Sequence, residues 1–169
     1  MSRRNLLPWE RTSEVRDACL CLHVQQAGRA LARYFDDLFR PLGITSGQFS
    51  LLMSLNRPDA PVMGEVAELL AMDRTTLTAA LKPLERQGFV SVAPDKEDRR
   101  KRRLLLTDEG RALLAEAWPL WREGHAVIEG RLREPDRLRA DLRRLARPRE
   151  ASERHVGQTD RFGNRQSDR

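Results

Sequence analysis

A run of five cations, Arg99 to Arg103, is the most chemically distinctive stretch of the chain. Arginine pairs well with phosphate, so the run favours a polyanionic partner. Basic runs are often disordered arms, but this one leads directly into "LLLTDEG", which reads as an apolar strand followed by a helix start. We therefore predict a charged hairpin tip whose leucines anchor it. Nearby carboxylates, Asp95, Glu97 and Asp98, are expected to fix arginine rotamers before the partner arrives.

A second group of polar side chains precedes this run, on a segment predicted to be a helix capped by Asp73 and stopped by Gly88. A threonine can hydrogen-bond a phosphate or contact the methyl group of thymine, and an arginine can hydrogen-bond the edge of guanine. The candidate DNA-contacting residues of this helix are Arg74, Thr75, Thr76, Thr78 and Lys82. Taken alone, the segment is more simply explained as an ordinary amphipathic helix that has one polar side.

Charge is concentrated around these two groups. Residues 73–103 hold nine Lys or Arg and five acids, a net +4 out of +6 for the whole chain. Excess arginine can also reflect a GC-rich genome, but such a bias does not explain the clustering. A cationic hairpin tip beside a helix that enters a major groove is placed to enter the adjacent minor groove, whose potential attracts arginine.

The elements that must position these residues follow from apolar periodicity and helix boundary signals. We predict one long helix over 13–40, a helix capped by Thr45 or Ser46, and a helix with Pro61 at its first position. The helix after Asp73 is followed by the strands "FVSVAP" and "RLLLT". A long helix capped by Thr107, with a bend at Pro119, and a final helix "PDRLRADLRRLA" complete the order.

This order of elements predicts a mainly α fold with a small two-stranded β-wing, the winged helix-turn-helix. We expect residues 1–12 to form an irregular arm and residues 13–147 a single domain with its DNA-binding lobe at 62–107. Residues 148–169 have too few apolar groups to offset their ordering entropy and are expected to be disordered.

Several function classes find little support in the sequence. No apolar run approaches the roughly 20 residues needed to cross a bilayer, and no secretory signal is present. Two cysteines, Cys19 and Cys21, form no disulfide framework, so we expect a reducing cytoplasm.

There is no phosphate-binding glycine loop, and a solvated pair is favoured over a metal site for His125 and Glu129. We predict no enzyme activity, cofactor or metal.

The segment "LAMDRTTLTAALKPLERQGFVSVAPDKEDRRKRRLLLTDEGRALL" resembles the MarR family of bacterial transcriptional regulators, and the likeness extends over roughly residues 14–147. Its strongest element is the wing, which matches the family pattern D-x-x-D-R-R…L-T-x-x-G. The resemblance implies that Arg100 enters a minor groove and is held by Asp98, with Arg99 and Lys101 near phosphates.

The resemblance also implies an intertwined homodimer, built from helices 13–40 and 108–147, that binds an inverted-repeat operator in double-stranded DNA. An overly apolar first helix agrees with a covering partner. Family members usually sense a small molecule in a cleft between the dimer helices and the DNA-binding lobe. The corresponding candidates here are Cys21, His23, Gln25, Tyr34 and Phe35.

A weaker resemblance connects this region with the organic-hydroperoxide-sensing branch of the family. Cys21 falls where that branch has its reactive cysteine, although the supporting tyrosines map to Gln25 and Phe35. We expect Cys21 about two turns into its helix, and a buried structural cysteine is the alternative. Since Cys19 and Cys21 would diverge on a helix, a disulfide between them is not expected.

Three functions remain open at this point. The first is a DNA-binding regulator, a repressor released by a small-molecule effector. The second is a thiol-based peroxide-sensing repressor that uses Cys21. The third, from another class, is a less specific nucleic-acid-binding or architectural protein.

Overall fold

The structure, a computed structural model, describes residues 7–146, which form two compact units that divide after Gly130. The predicted 148–169 tail and residues 1–6 lie outside this range. The first unit contains α1 (Trp9–Ala18), α2 (Leu20–Phe39), a 3-10 turn (Arg40–Leu42), α3 (Ser46–Leu55), α4 (Met63–Leu69), α5 (Arg74–Arg86), β1 (Val90–Pro94), β2 (Arg102–Leu106) and α6 (Asp108–Glu129). The second contains α7 (Pro135–Ala146). The predicted mainly α fold with a two-stranded hairpin is confirmed.

Local capping explains where several helices begin. Thr45 accepts a hydrogen bond from the Gln48 amide at 3.2 Å, and the Gln48 side chain accepts one from the Thr45 amide at 2.9 Å. This reciprocal pair satisfies two otherwise unpaired amides of α3. At the start of α6, Thr107 accepts from the Gly110 amide at 3.0 Å and donates to the Gly88 carbonyl at 2.7 Å. Thr107 therefore fixes α6 to the end of the preceding turn.

The two strands form an antiparallel hairpin in which Val90 faces Leu106 and Pro94 faces Arg102. This hairpin closes over a core contributed by α2 to α6. The largest fully buried side chains are Phe39, Leu51, Leu52, Val66, Leu77, Leu81, Leu84 and Leu104.

The predicted start of α4 at Pro61 is wrong, since the helix begins at Met63. The Pro61 carbonyl accepts a hydrogen bond from the Leu104 amide at 3.0 Å, and Val62 forms an isolated antiparallel bridge with Arg103. Residues 61–62 are thus held beside the hairpin in extended form and are not available for the first helical turn.

The predicted single helix over 13–40 is also wrong. The helix begins earlier, at Trp9, within the stretch expected to be irregular, and it is interrupted at Cys19, which adopts φ −74° and ψ 104°. The Cys19 sulfur accepts a hydrogen bond from the Leu22 amide at 3.5 Å and caps α2. Within the described range, residues 7–146, no residue of α1 is buried.

The long helix α6 is unbroken from Asp108 to Glu129, with Pro119 inside it. Pro83 likewise lies within α5. Among residues 7–146, none of the helices combines the length and the apolar character needed to span a membrane.

Candidate DNA-binding surface

The turn between α4 and α5 orients the predicted recognition helix. Ala71 adopts a positive φ of 51°, and the Met72 amide donates to the Ala67 carbonyl at 2.8 Å. Asp73 then caps α5 by accepting from the Thr76 amide at 2.8 Å and the Thr76 hydroxyl at 2.7 Å. The Thr76 amide is the main reason that the pKa of Asp73 is lowered. The predicted cap is confirmed.

The outward side of α5 carries most of the predicted contact residues. Arg74, Thr75, Thr78, Ala79 and Lys82 line an open groove of about 330 Å³. Leu77, Leu81 and Leu84 on the opposite side are buried. This division leaves the polar side of α5 facing solvent.

The threonines of this face differ in their freedom to donate hydrogen bonds. The Thr78 hydroxyl donates to the Arg74 carbonyl at 2.7 Å, and the Thr76 hydroxyl donates to Asp73. Both oxygens can still accept a hydrogen bond. Thr76 does not line the groove. Thr75 is exposed and lines the groove, so it is the threonine best placed to donate to a phosphate.

The tip of the hairpin, residues 95–101, is organised by one carboxylate. Asp95 is 4% exposed and accepts hydrogen bonds from the Glu97 amide at 2.9 Å and the Asp98 amide at 2.8 Å. These amides, Asp98 first, lower the pKa of Asp95, with a smaller contribution from Arg103. Hydrogen bonds that stabilise the ionised form account for that direction.

Arg103, the last cation of the basic run, is an anchor within the fold. Its Nε pairs with Asp95, and its Nη1 donates to the Ala60 carbonyl at 2.6 Å. The pair agrees with the prediction that a carboxylate near the run holds an arginine side chain, but the anchoring of Arg103 to the loop before α4 was not predicted. Their pairing depends on the hairpin register and on the loop before α4, which single-sequence patterns do not fix.

The remaining cations of the run are exposed. Within residues 7–146, the side chains of Arg99, Arg100 and Arg102 have no hydrogen-bond or ion-pair partner, and Lys101 Nζ lies 4.0 Å from Asp98. Asp98 accepts a hydrogen bond from the Arg100 amide at 3.1 Å. Within residues 7–146, Asp98 therefore contacts the Arg100 backbone and not its side chain as predicted, and it shapes the backbone of the tip.

Three of the effector candidates, Cys21, His23 and Gln25, lie near the start of α2. Gln25 Nε2 lies 3.1 Å from the Cys21 sulfur, and His23 Nδ1 lies 2.9 Å from the Cys19 carbonyl oxygen. Cys21 lies in the first turn of α2, and not two turns in, because the helix restarts at Leu20. The alternative of a buried cysteine is wrong for the single chain, since Cys21 is exposed.

Tyr34 and Phe35 lie elsewhere, about 20 Å further along α2 at 1.5 Å per residue. Their rings meet edge to face with centroids 5.3 Å apart. Both lie beside Gly124 of α6, where an added Cβ would approach them to within 3.2–3.3 Å. Within one chain, the five predicted effector residues therefore form two separate groups.

His125 belongs to an aromatic cluster, so its ring is packed against other rings and is not solvated as predicted. The His125 ring meets Trp121 at 4.6 Å and Phe35 at 6.1 Å between centroids. Its Nδ1 is buried and has no hydrogen-bond partner in the described part of the chain. Residues 7–146 contain no group of three or more His, Cys, Asp or Glu side chains that could hold a metal ion.

Comparisons with known proteins agree with this architecture. Residues 44–101 match the model of the MarR family. The crystal structure of the Mycobacterium tuberculosis transcriptional regulator MosR in complex with DNA is similar, with a TM-score of 0.71 and 36% identity, covering 76% of this chain and 93% of that one.

Curated relatives include two Bacillus subtilis proteins. The uncharacterized regulator YybA is 32% identical over 104 residues, covering 59% of this chain and 67% of its own. The organic hydroperoxide resistance transcriptional regulator is 32% identical over 97 residues, covering 57% and 65%. Matched segments span between 41% and 67% of the relatives' lengths. Together with the wing and the capped recognition helix, these similarities show that the chain belongs to the MarR family.

Proposed function

We propose that this protein is a sequence-specific DNA-binding transcriptional regulator. The observation that carries the proposal is the pairing of an open polar face on α5 with a hairpin tip whose arginines have no partner in the described chain. A surface of this kind attracts phosphate and can read base edges. MosR, a relative of 36% identity, has been solved in complex with DNA.

We assign each contact with DNA from the position of the residue on α5 or on the hairpin tip. Arg74, Thr75 and Lys82 face a major groove, with the acceptor oxygens of Thr76 and Thr78 available beside them. Arg100 enters the adjacent minor groove, while Arg99 and Lys101 contact phosphates. Asp98 acts on this surface through the tip backbone, and contact with DNA brings the Arg100 side chain within its reach.

The regulator acts as a homodimer on an inverted repeat, through helices within 13–40 and 108–147, with 62–107 as the DNA-binding lobe. It works in the cytoplasm, without catalysis, as a repressor released by a small molecule. Its relatives are regulators and not enzymes. A non-covalent effector is favoured over a thiol switch, because Cys21 has one hydrogen-bond donor, Gln25, and no ion pair in the described chain.

The test is footprinting on the DNA upstream of the protein's own gene, followed by fluorescence anisotropy on the protected site and on a scrambled duplex. A regulator protects a short inverted repeat and binds it at least a thousandfold more tightly than scrambled DNA at the same salt concentration, within the roughly 10³–10⁷ range of specific binders. Equal affinity for both duplexes would favour the architectural alternative instead.

A further inference from the structure

A network of hydrogen bonds connects the loop before α4 with the hairpin tip, and Asp95 lies at its centre. The two oxygens of the Asp95 carboxylate have different partners. Oδ1 accepts from the amides of Glu97 and Asp98 at 2.9 and 2.8 Å, and Oδ2 pairs with Nε of Arg103. One carboxylate therefore holds the backbone of the tip and the side chain of a β2 residue at the same time.

Arg103 extends this network beyond the hairpin. Its Nη1 donates to the Ala60 carbonyl at 2.6 Å, 43 positions earlier in the sequence and three positions before α4 begins. The backbone makes the same connection, since Val62 forms a bridge with Arg103 and the Leu104 amide donates to the Pro61 carbonyl at 3.0 Å. The base of the hairpin is thus joined to the segment that leads into α4 and α5.

At its other end, the network reaches the arginine that we assign to the minor groove. Asp98, whose amide is held by Asp95, accepts a hydrogen bond from the Arg100 amide at 3.1 Å. The Lys101 amide donates to the Asp98 carbonyl at 2.8 Å and closes the tip. The loop before α4 is therefore connected to the Arg100 backbone through Arg103 and Asp95.

The hairpin needs such a connection if its tip is to point in one direction. Two strands by themselves are at best marginally stable in water, so the direction of the tip depends on what holds the hairpin. Asp95 is 4% exposed. Loss of Arg103 would leave one oxygen of this buried carboxylate without its partner, which is costly, and would release the tip from the loop before α4.

We propose that Asp95 and Arg103 are positioning residues for DNA recognition, which hold the hairpin tip at a fixed place relative to α4 and α5. Neither side chain has to touch DNA in this role. With the tip already ordered, Arg100 enters the minor groove while α5 lies in the adjacent major groove, and no further ordering cost is paid on binding. The effect on DNA rests on the proposed DNA-binding function, whereas the ordering of the tip does not.

The experiment is a double-mutant cycle on the full-length protein, with operator affinity measured by fluorescence anisotropy at fixed salt. Arg103→Gln is made in the wild type and in an Arg100→Ala background. We expect Arg103→Gln to weaken operator binding at least about threefold in the wild type, within the range of coupling in one hydrogen-bond network, and to cost nothing further once Arg100 is removed. Arg102→Gln removes the same charge from the neighbouring exposed position, and its cost should be equal in the two backgrounds.

Arg103→Lys separates position from charge. Lysine keeps the cation but lacks the planar fork that reaches Asp95 and Ala60 together, so we expect Arg103→Lys to bind operator as weakly as Arg103→Gln. Hydrogen–deuterium exchange of the tip, residues 95–101, measured without DNA, should be faster in both Arg103 variants than in the wild type and unchanged in Arg102→Gln. Circular dichroism checks that each variant is folded, and Arg103→Lys takes the place of Arg103→Gln in the cycle if the latter is not.

Four results would overturn the proposal. They are an equal cost, or none, of the Arg103 substitution in both backgrounds, full operator affinity in Arg103→Lys, unchanged exchange at the tip, and a cost of Arg102→Gln that also disappears once Arg100 is removed. If the wild type shows no operator preference, the proposed DNA-binding function fails, and the exchange measurement still decides whether Arg103 orders the tip.

Discussion

The arginines of the basic run, residues 99–103, differ in what they contact. Arg103 is tied to Asp95 and to the Ala60 carbonyl, whereas Arg99, Arg100 and Arg102 have no partner within residues 7–146. A tied cation contributes to the shape of the hairpin, and an unpaired one remains available to a polyanion. Composition alone cannot make this distinction, because it depends on which arginine the register places beside Asp95.

Arg100→Ala should weaken operator binding by roughly 1–3 kcal/mol, because the side chain that enters the minor groove is lost. Anisotropy at fixed salt measures the loss, and circular dichroism should show an unchanged fold. Arg122→Ala, an equal loss of charge at an exposed position of α6, is the matched control and should bind normally. Equal affinities for the Arg100 variant and wild type would remove the wing from the DNA contact.

Asp95 should make stability depend on pH in one direction. Its pKa is lowered from 3.8 by the Asp98 and Glu97 amides and then by Arg103. The folded state therefore favours the ionised form, whose contribution is complete above the unfolded pKa of about 3.9 and is lost as the pH falls through the lower folded pKa. Thermal unfolding of wild type and Asp95→Asn should differ most at neutral pH and converge in acid. A difference that widens below pH 4 would contradict this assignment.

At the scale of elements, the sequence predicts what local chemistry decides. Asp73 and Thr107 are cap residues that bond within three positions, and both predictions hold. The break at Cys19 was missed because the apolar stripe continues past it and cysteine gives no strong cap signal. The start of α4 was missed because Pro61 and Val62 bond to β2, about 40 residues away.

The groove between α3, α4 and α6, which is lined by aromatic side chains, could not be predicted from a sequence pattern either. Trp118 and Leu69 are about 50 residues apart, and each alone reads as an ordinary apolar residue of an amphipathic helix. Their meeting requires the packing of α3, α4 and α6. The same limit applies to Asp95 and Arg103, whose pairing depends on the hairpin register and on the loop before α4.

Gly110 fixes how closely α6 approaches the hairpin. A Cβ there would overlap the Phe89 carbonyl oxygen and lie 2.8 Å from Leu106 Cδ1. Glycine to alanine in a helix normally stabilises by up to about 1 kcal/mol, but here the clash with backbone should reverse the sign and destabilise by about 1–3 kcal/mol.

Urea unfolding measures this change in the free energy of unfolding. Gly28→Ala in α2 is the control, since nothing lies within 4 Å of its added Cβ, and it should be neutral or stabilising. A stabilised Gly110→Ala protein would mean that α6 can move away from Phe89 at little cost.

At the scale of the whole molecule, apolar surface remains after the single chain has folded. On α7, Leu138, Leu142 and Leu145 follow one helical stripe and are 43%, 39% and 62% exposed. Leu20, Val24 and Leu31 of α2 are also exposed. A protein with one third charged residues has enough polar side chains to avoid such stripes, so their presence favours a covering partner. A second copy of the chain is the partner that the homodimer proposal requires.

Replacing Leu142 and Leu145 with Glu should therefore abolish the dimer and, with it, tight operator binding. Two linked recognition helices read half-sites about 10 bp apart, and a monomer loses the second half-site. Light scattering after size exclusion gives the oligomeric state, and anisotropy gives operator affinity. Arg143→Glu with Arg144→Glu places the same number of glutamates on neighbouring positions of α7 outside the leucine stripe, and this control should remain dimeric. A monomeric leucine variant that still binds the full operator as tightly as wild type would show that dimerisation is not needed for recognition.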